Sequence, residues 1–377
     1  MLKRISQVWS GIDWILTTCV CVLVCAGLVT MNSFVGDTAF FDKQVILFFI
    51  SFGIFLVASM IDWRFLRRTQ VVMILYGIAV LLLGLLFVVG SVFKGAQSWF
   101  SIGGFTFQPV DSAKLAVILV LSKYFSRRHI EIAHIRHIIV SGLYVGIIFL
   151  LVFLQPDFGS AIIIFATWLG MVLVSGISKK HLAAVAILGV CAFGFLWAFV
   201  FRPYQKARIM TFVSPLSDIR GSGYNAYQSV IAVGSGGLAG KGIGYGTQSK
   251  LQFLPEYQTD FIFAAFAEEW GYFGVVLLFV LYGIVFARML RIAFRGGSNF
   301  EVLFGTGLTI LFMTHATIHI GMNIGLLPVT GNTLPFMSYG GSHMLNEFLG
   351  LGILMGMNKY SRAVHKDLVA NEIVGIT

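Results

Sequence analysis

The chain has 377 residues, 58% of them apolar and only 11% charged, with a net charge of +10. An average soluble domain carries about 25% charged residues, so this chain has too few to wrap a water-soluble globule. The composition excludes a soluble enzyme, a nucleic-acid-binding module and a disordered chain, and it fits an all-α polytopic membrane protein.

Apolar runs predict ten transmembrane helices, near 14–31, 43–61, 70–92, 110–125, 137–155, 158–176, 182–201, 262–287, 301–325 and 343–358. A bilayer crossing takes about 20 apolar residues. The 42 glycines suit close helix approach in lipid. No small-residue cleavage pattern follows the first run, which reads as a retained span rather than a signal peptide. Pro156 and Asp157 argue for a break between the fifth and sixth helices. Cys19, Cys21, Cys25 and Cys191 all lie in apolar runs, so neither a disulfide framework nor a metal box is indicated. The ten spans read as one membrane domain over 1–377. The 60-residue segment 202–261, Gly-rich but dense in aromatic residues, reads as its folded cap. The tail 360–377 reads as a short mixed-charge end.

The basic residues set the orientation. With the N-terminus inside, seventeen of the 26 Lys and Arg fall in inner segments, against Lys43 and Lys94 in the short outer loops. Both termini are therefore expected in the cytoplasm, and anionic lipid headgroups rather than nucleic acid are the expected partner of the positive charge. Almost everything unusual then falls on the outer side, where nucleoside triphosphates are not supplied. An enzyme there needs an already activated substrate, such as a lipid-linked pyrophosphate.

Several residues stand out. Asp111 and Lys114 share a helix face just after Pro109, and ionisable groups at membrane depth are functional by default. An ion pair locking two helices, or a snorkelling lysine, is the alternative. Asp157 opens the sixth helix, where a capping role competes with a chemical one. Gln108-Pro109-Val110-Asp111 and Gln155-Pro156-Asp157 form a short internal echo. Asp260 stands where the cap enters a span, as a general base or as an N-cap. Glu268 and Glu269 follow it as candidates for polar contacts between helices.

The Gly-rich run 234–247 suits an anion-binding nest but fails the P-loop pattern at Ser235 and Gly242. Arg202, Lys206, Arg208, Lys241 and Lys250 are the cations available to phosphate there, unless they merely solvate the loop. His315 and His319, four apart, lack the glutamate pattern of a zinc site and read as helix–helix hydrogen-bonding residues.

Taken together, these motifs resemble one family. Gly-Thr-Gln-Ser at 246–249, Phe-Leu-Pro-Glu at 253–256 and Thr-Asp-Phe-Ile-Phe at 259–263 are similar to the SEDS family (shape, elongation, division and sporulation). So are Lys-Gly-Ala-Gln at 94–97, Gln-Pro-Asp at 155–157 and Ser-Tyr-Gly-Gly-Ser at 338–342. The likeness spans nearly the whole chain and is nearer to the elongation branch than to the division branch.

The resemblance implies a peptidoglycan glycosyltransferase that polymerises lipid II beside a class B penicillin-binding protein. It places the essential acid on Asp260, an acid–lysine element on Asp111 and Lys114, and a basic residue on Arg208. Trp99, Gln155, Asp157, Lys241 and Ser342 complete the candidate substrate-binding set, and a divalent cation, Mg or Mn, is a further expectation. Three departures from the family pattern are Asp111 for Glu, Ser98 for Arg and Gln258 for His. A lipid II flippase and a non-catalytic scaffold for the penicillin-binding protein are the competing readings.

Overall fold

The computed structural model describes residues 11–33, 39–93, 96–102, 105–127, 135–201, 203–214, 223–251, 253–254 and 256–374. Lys94 and Arg202 lie outside the described residues. Ten helices of 17 residues or more coincide with the expected spans: α1 (Trp14–Asn32), α2 (Ala39–Met60), α3 (Thr69–Val89), α4 (Pro109–Ser126), α5 (Ile135–Leu154), α6 (Phe158–Val174), α7 (Lys179–Phe195), α10 (Ile262–Ala293), α11 (Asn299–Asn323) and α12 (Gly341–Val374). Two shorter helices, α8 (Pro203–Val213) and α9 (Tyr224–Ser235), and a single helical turn at Thr247–Lys250 lie in the cap segment. The fold is that of an all-α polytopic membrane protein. Seven of the long helices suit a bilayer crossing by length and composition.

The outside of the bundle is apolar. Helix α7 has no buried residue, and Leu188 and Val190 on it are 70% and 72% exposed. Such a surface belongs in hydrocarbon, where an exposed leucine costs nothing. The interior is organised around α4, whose residues from Pro109 to Ser122 are almost all buried. That helix packs against α3, α11 and α6.

Two features depart from the expected elements. A three-stranded antiparallel sheet, β1 (Ser91–Phe93), β2 (Ala96–Ile102) and β3 (Phe105–Phe107), fills the loop between α3 and α4. Trp99 lies on β2 opposite Ser91. Helix α12 also runs on through the tail to Val374 instead of stopping near 358.

The opposite ends of the helices are tied by ion pairs. Asp13, the N-cap of α1, binds Arg288 of α10, and Glu301 of α11 binds Arg67 in the turn before α3. Two of the arginines expected to face lipid headgroups are thus already paired within the protein.

Helix α10 is broken at Gly271, whose φ of 63° no side chain tolerates easily. The Gly-rich run of the cap inserts its backbone there. Tyr272 and Phe273 donate to the carbonyls of Gly237 and Leu238, while Lys241 and Gly242 donate to those of Glu268 and Glu269. A broken helix leaves backbone groups unpaired, and lipid cannot satisfy them, so a second backbone must.

The approach is closest at Gly240 and Gly271. A Cβ on Gly240 would sit 2.1 Å from the Glu269 carbonyl oxygen, and one on Gly271 would sit 2.2 Å from the Gly240 nitrogen. The glycines expected to form an anion nest are therefore used to dock the cap on α10. Gly240→Ala, forced to keep φ near 80° against that carbonyl, should lose about 2 kcal/mol or more of stability. Thermal unfolding of the purified protein in detergent checks this.

Candidate functional site

Asp111 sits in the first turn of α4, after Pro109 at the helix start. Its side chain is buried, and donors surround it. Lys114 Nζ lies 3.1 Å from Oδ1, His343 Nδ1 lies 3.3 Å from the same oxygen, and Ser342 Oγ donates to Oδ2 at 3.3 Å. Ser342 and His343 belong to the first turn of α12, so one carboxylate joins two helices more than 230 residues apart in sequence.

The network continues inward. His343 Nε2 lies 2.9 Å from Glu347, which accepts from the backbone of Phe336 at 3.0 Å. The ring of His315 packs 4.9 Å from that of His343. Asp111, Lys114, His315, His343 and Glu347 border a cavity of about 10 Å³. That is room for roughly one water, not for a sugar.

The two Gln-Pro-Asp echoes meet. Gln108 Nε2 donates to Asp157 Oδ2 at 3.1 Å, and the Gln108 N–H points to Ser342 Oγ at 3.3 Å. Asp157 is the N-cap of α6, taking the Ser160 N–H at 3.0 Å. Its capping role is therefore observed. Gln155 is buried and donates to the Leu83 carbonyl on α3 at 2.7 Å.

Asp260 closes the cap just before α10 and is only partly buried. The backbone around it is held by the segment between α11 and α12. Tyr339 N–H donates to the Gln258 carbonyl at 2.8 Å, Ser338 Oγ to the Thr259 carbonyl at 2.8 Å, and Asn323 Nδ2 to the Asp260 carbonyl at 3.0 Å. Gln44 of α2 steadies the same segment through the Ser338 carbonyl at 3.1 Å. Residues 338–343 thus touch the turn carrying Asp260 at one end and Asp111 at the other.

The remaining candidates are placed elsewhere. Lys241 is paired with Glu268 at 2.7 Å. That carboxylate, fully buried, also takes the Thr247 N–H at 2.9 Å and its hydroxyl at 3.0 Å. Lys241 therefore secures the cap to α10 and is not a free cation for phosphate. Glu269 accepts from Gly244 N–H at 2.9 Å in the same contact. Lys206 lies 5.7 Å from the Trp197 ring centroid and Lys250 lies 5.9 Å from that of Tyr245. Arg208 is on α8, and its side chain lies outside what the structure describes. His319 donates through Nδ1 to the Asn332 carbonyl at 2.7 Å, a contact with a loop instead of another helix.

The residues do not fit a divalent cation held by Asp111. Both of its oxygens already face donors, one of them an ammonium. Among the described residues no group of three His, Cys, Asp or Glu is placed to hold a metal ion.

Sequence reading missed His343, Glu347, Asn323 and Gln44. The contacts of His343 with Asp111, of Gln44 with Ser338 and of Asn323 with Asp260 each span more than 60 residues of sequence. The signal that could have found His343 and Glu347 is their four-residue spacing on the helix that follows the Ser-Tyr-Gly-Gly-Ser motif.

Breaking one half of the Asp111–Lys114 pair leaves a buried charge, at a typical cost of about 3–5 kcal/mol. Lys114→Met should therefore lower the thermal midpoint, and Lys114→Met with Asp111→Asn should recover part of the loss. Thermal unfolding of the three proteins measures this.

Comparison with known proteins agrees with the geometry. The FtsW/RodA/SpoVE family of cell cycle proteins matches residues 8–363. The chain is 38% identical over 297 residues to the peptidoglycan glycosyltransferase MrdB of Escherichia coli, covering 78% of this chain and 79% of that one. It is 35% identical over 332 residues to stage V sporulation protein E of Bacillus subtilis, covering 86% and 89%. Among solved structures, the rod shape determining protein RodA of Thermus thermophilus superposes with a TM-score of 0.70 at 28% identity, covering 92% of this chain and 96% of that one. A chain from a peptidoglycan synthase complex that coordinates polymerization and crosslinking gives a TM-score of 0.80 at 29% identity, covering 93% and 98%. The chain belongs to the FtsW/RodA/SpoVE family, the SEDS family of its sequence motifs.

Proposed function

We propose that the protein is a peptidoglycan glycosyltransferase that polymerises lipid II at the outer face of the cytoplasmic membrane, with Asp260 as its general base. The observation that carries this reading is the convergence at helix starts. Asp111, Asp157 and Ser342 open α4, α6 and α12, and Asp260 stands just before Phe261, the N-cap of α10. A transport pathway would spread its ionisable residues through the bundle instead. The naming of MrdB as a glycosyltransferase, at 38% identity, supports the same class.

The reaction is an inverting glycosyl transfer. The acceptor 4-hydroxyl gives its proton to Asp260 and its oxygen bonds to C1 of the donor sugar. The bond from C1 to the pyrophosphoryl lipid breaks, and the pyrophosphate leaves with the electron pair. Arg208, in the Tyr-Gln-x-x-Arg element on α8, is the cation assigned to that charge. Lys114 and Asp111 are buried and joined to each other. They act on the reaction by holding α12 against α4, not by touching the pyrophosphate.

A class B penicillin-binding protein is the proposed partner, which the likeness to a peptidoglycan synthase complex supports. The positive-inside count supports a cytoplasmic location for both termini. The elongation role is favoured by identity to MrdB at 38%, against 34% to the FtsW of Thiomicrospira cyclica.

The purified protein with its penicillin-binding partner, given labelled lipid II, should produce glycan ladders on a gel. Asp260→Asn should fold and bind the partner yet make none, a loss of at least 100-fold. Ladders from that variant would reject Asp260 as the base. Lipid II crossing proteoliposomes without any ladder would favour the flippase reading.

A further inference from the structure

We infer that Asn323, the last residue of α11, is a positioning residue for Asp260. The inference rests on the reading of Asp260 as general base. Asn323 is fully buried, and its amide makes three hydrogen bonds. Nδ2 donates to the Asp260 carbonyl at 3.0 Å and to the His319 carbonyl at 2.8 Å. Oδ1 accepts from the Ala264 N–H at 3.2 Å. Both N–H donors of the amide are used and its oxygen is paired, so neither end of the side chain is free to turn.

The bonds fall on both sides of Asp260. Helix α10 has Phe261 as its N-cap, and Phe261 supplies no side-chain bond. Ala264 is the third residue of the helix, whose N–H an N-cap side chain normally takes. Here the oxygen comes from α11, across the fold. One amide therefore caps the helix and clamps the carbonyl of the residue that precedes its cap. The Asp260 backbone is held between the two bonds, with Ser338 and Tyr339 securing the two residues before it. Ser229 of α9 fixes the clamp in turn, donating to the Asn323 carbonyl at 2.9 Å.

A base must be aimed as well as present. A displacement of about 1 Å in a catalytic group can cost about 100-fold in rate. Losing the clamp should thus lower turnover while leaving substrate affinity nearly unchanged, because Asn323, fully buried, offers a substrate no surface.

The test uses the full chain with its penicillin-binding partner in liposomes and lipid II as substrate. Asn323→Leu removes all three bonds. Asn323→Asp keeps the shape and the oxygen facing Ala264, but a carboxylate cannot donate to the Asp260 carbonyl. Both should lower kcat at least tenfold with KM within twofold of wild type and the folded fraction unchanged. Activity of Asn323→Asp relative to wild type should rise as pH falls, because a protonated carboxyl regains the donor. If Asn323→Leu does not fold, Asn323→Asp carries the test. Wild-type kcat in folded Asn323→Asp, or a loss that resides in KM or in the folded fraction, overturns the inference while leaving the base assignment intact. Polymer made by Asp260→Asn overturns both.

Discussion

A carboxylate can remain inside an apolar bundle only if donors surround it, and Asp111 shows what that demand does to the rest of the fold. Moving such a group out of water costs several kcal/mol, which one lysine on the same helix does not fully offset. The further donors come from α12, as Ser342 and His343. To deliver them, the chain must bring the start of α12 against the first turn of α4. The helix pairing is thereby fixed at one register, because sliding α12 would strand a buried charge. Glu347 extends the constraint one turn further by holding the backbone of Phe336.

That register places the segment before α12. Residues 338 and 339 reach the turn 258–260 and donate to the carbonyls of Thr259 and Gln258, while Asn323 takes that of Asp260. The site is thus built from backbone held by side chains, on a chain end that would otherwise be a loop. The break at Gly271 obeys the same rule in another place. Backbone groups freed from α10 are paired by the Gly-rich run of the cap, and Glu268 collects the Lys241 and Thr247 donors around it. Both ends of the cap's last segment are therefore fixed to the bundle, and Asp260 lies between them.

How much of this was legible in the sequence depends on range. The ten spans were readable because hydrophobic runs are local, and the break at Gln155–Asp157 because proline acts on its own neighbours. Asp111 and Lys114 were readable as a pair because three residues make one helix face. Their partners on α12 were not, since nothing local marks a contact across 230 residues. The strands at 91–107 are too short to show a clear alternation, and their aromatic residues read as loop. The glycines of 236–244 pointed to close backbone approach, but not to whose backbone, so an anion and the broken α10 fitted the letters equally well.

The charged residues that drew attention divide by exposure, and the division bears on their roles. Asp111 and Lys114 are each about 5% exposed or less, and Glu268 is fully buried with Lys241 on it. Groups so enclosed can set the shape of a site and its field, but an acceptor hydroxyl cannot reach them. Asp260 differs, being partly open and having its main chain, not its burial, as the fixed element. A general base needs that combination: access for the substrate and a backbone that cannot drift. The costly buried charges and the accessible one are thus parts of a single arrangement. The first determine where α12 starts, the start of α12 determines where residues 338 and 339 lie, and those residues hold the turn that carries Asp260, the proposed base.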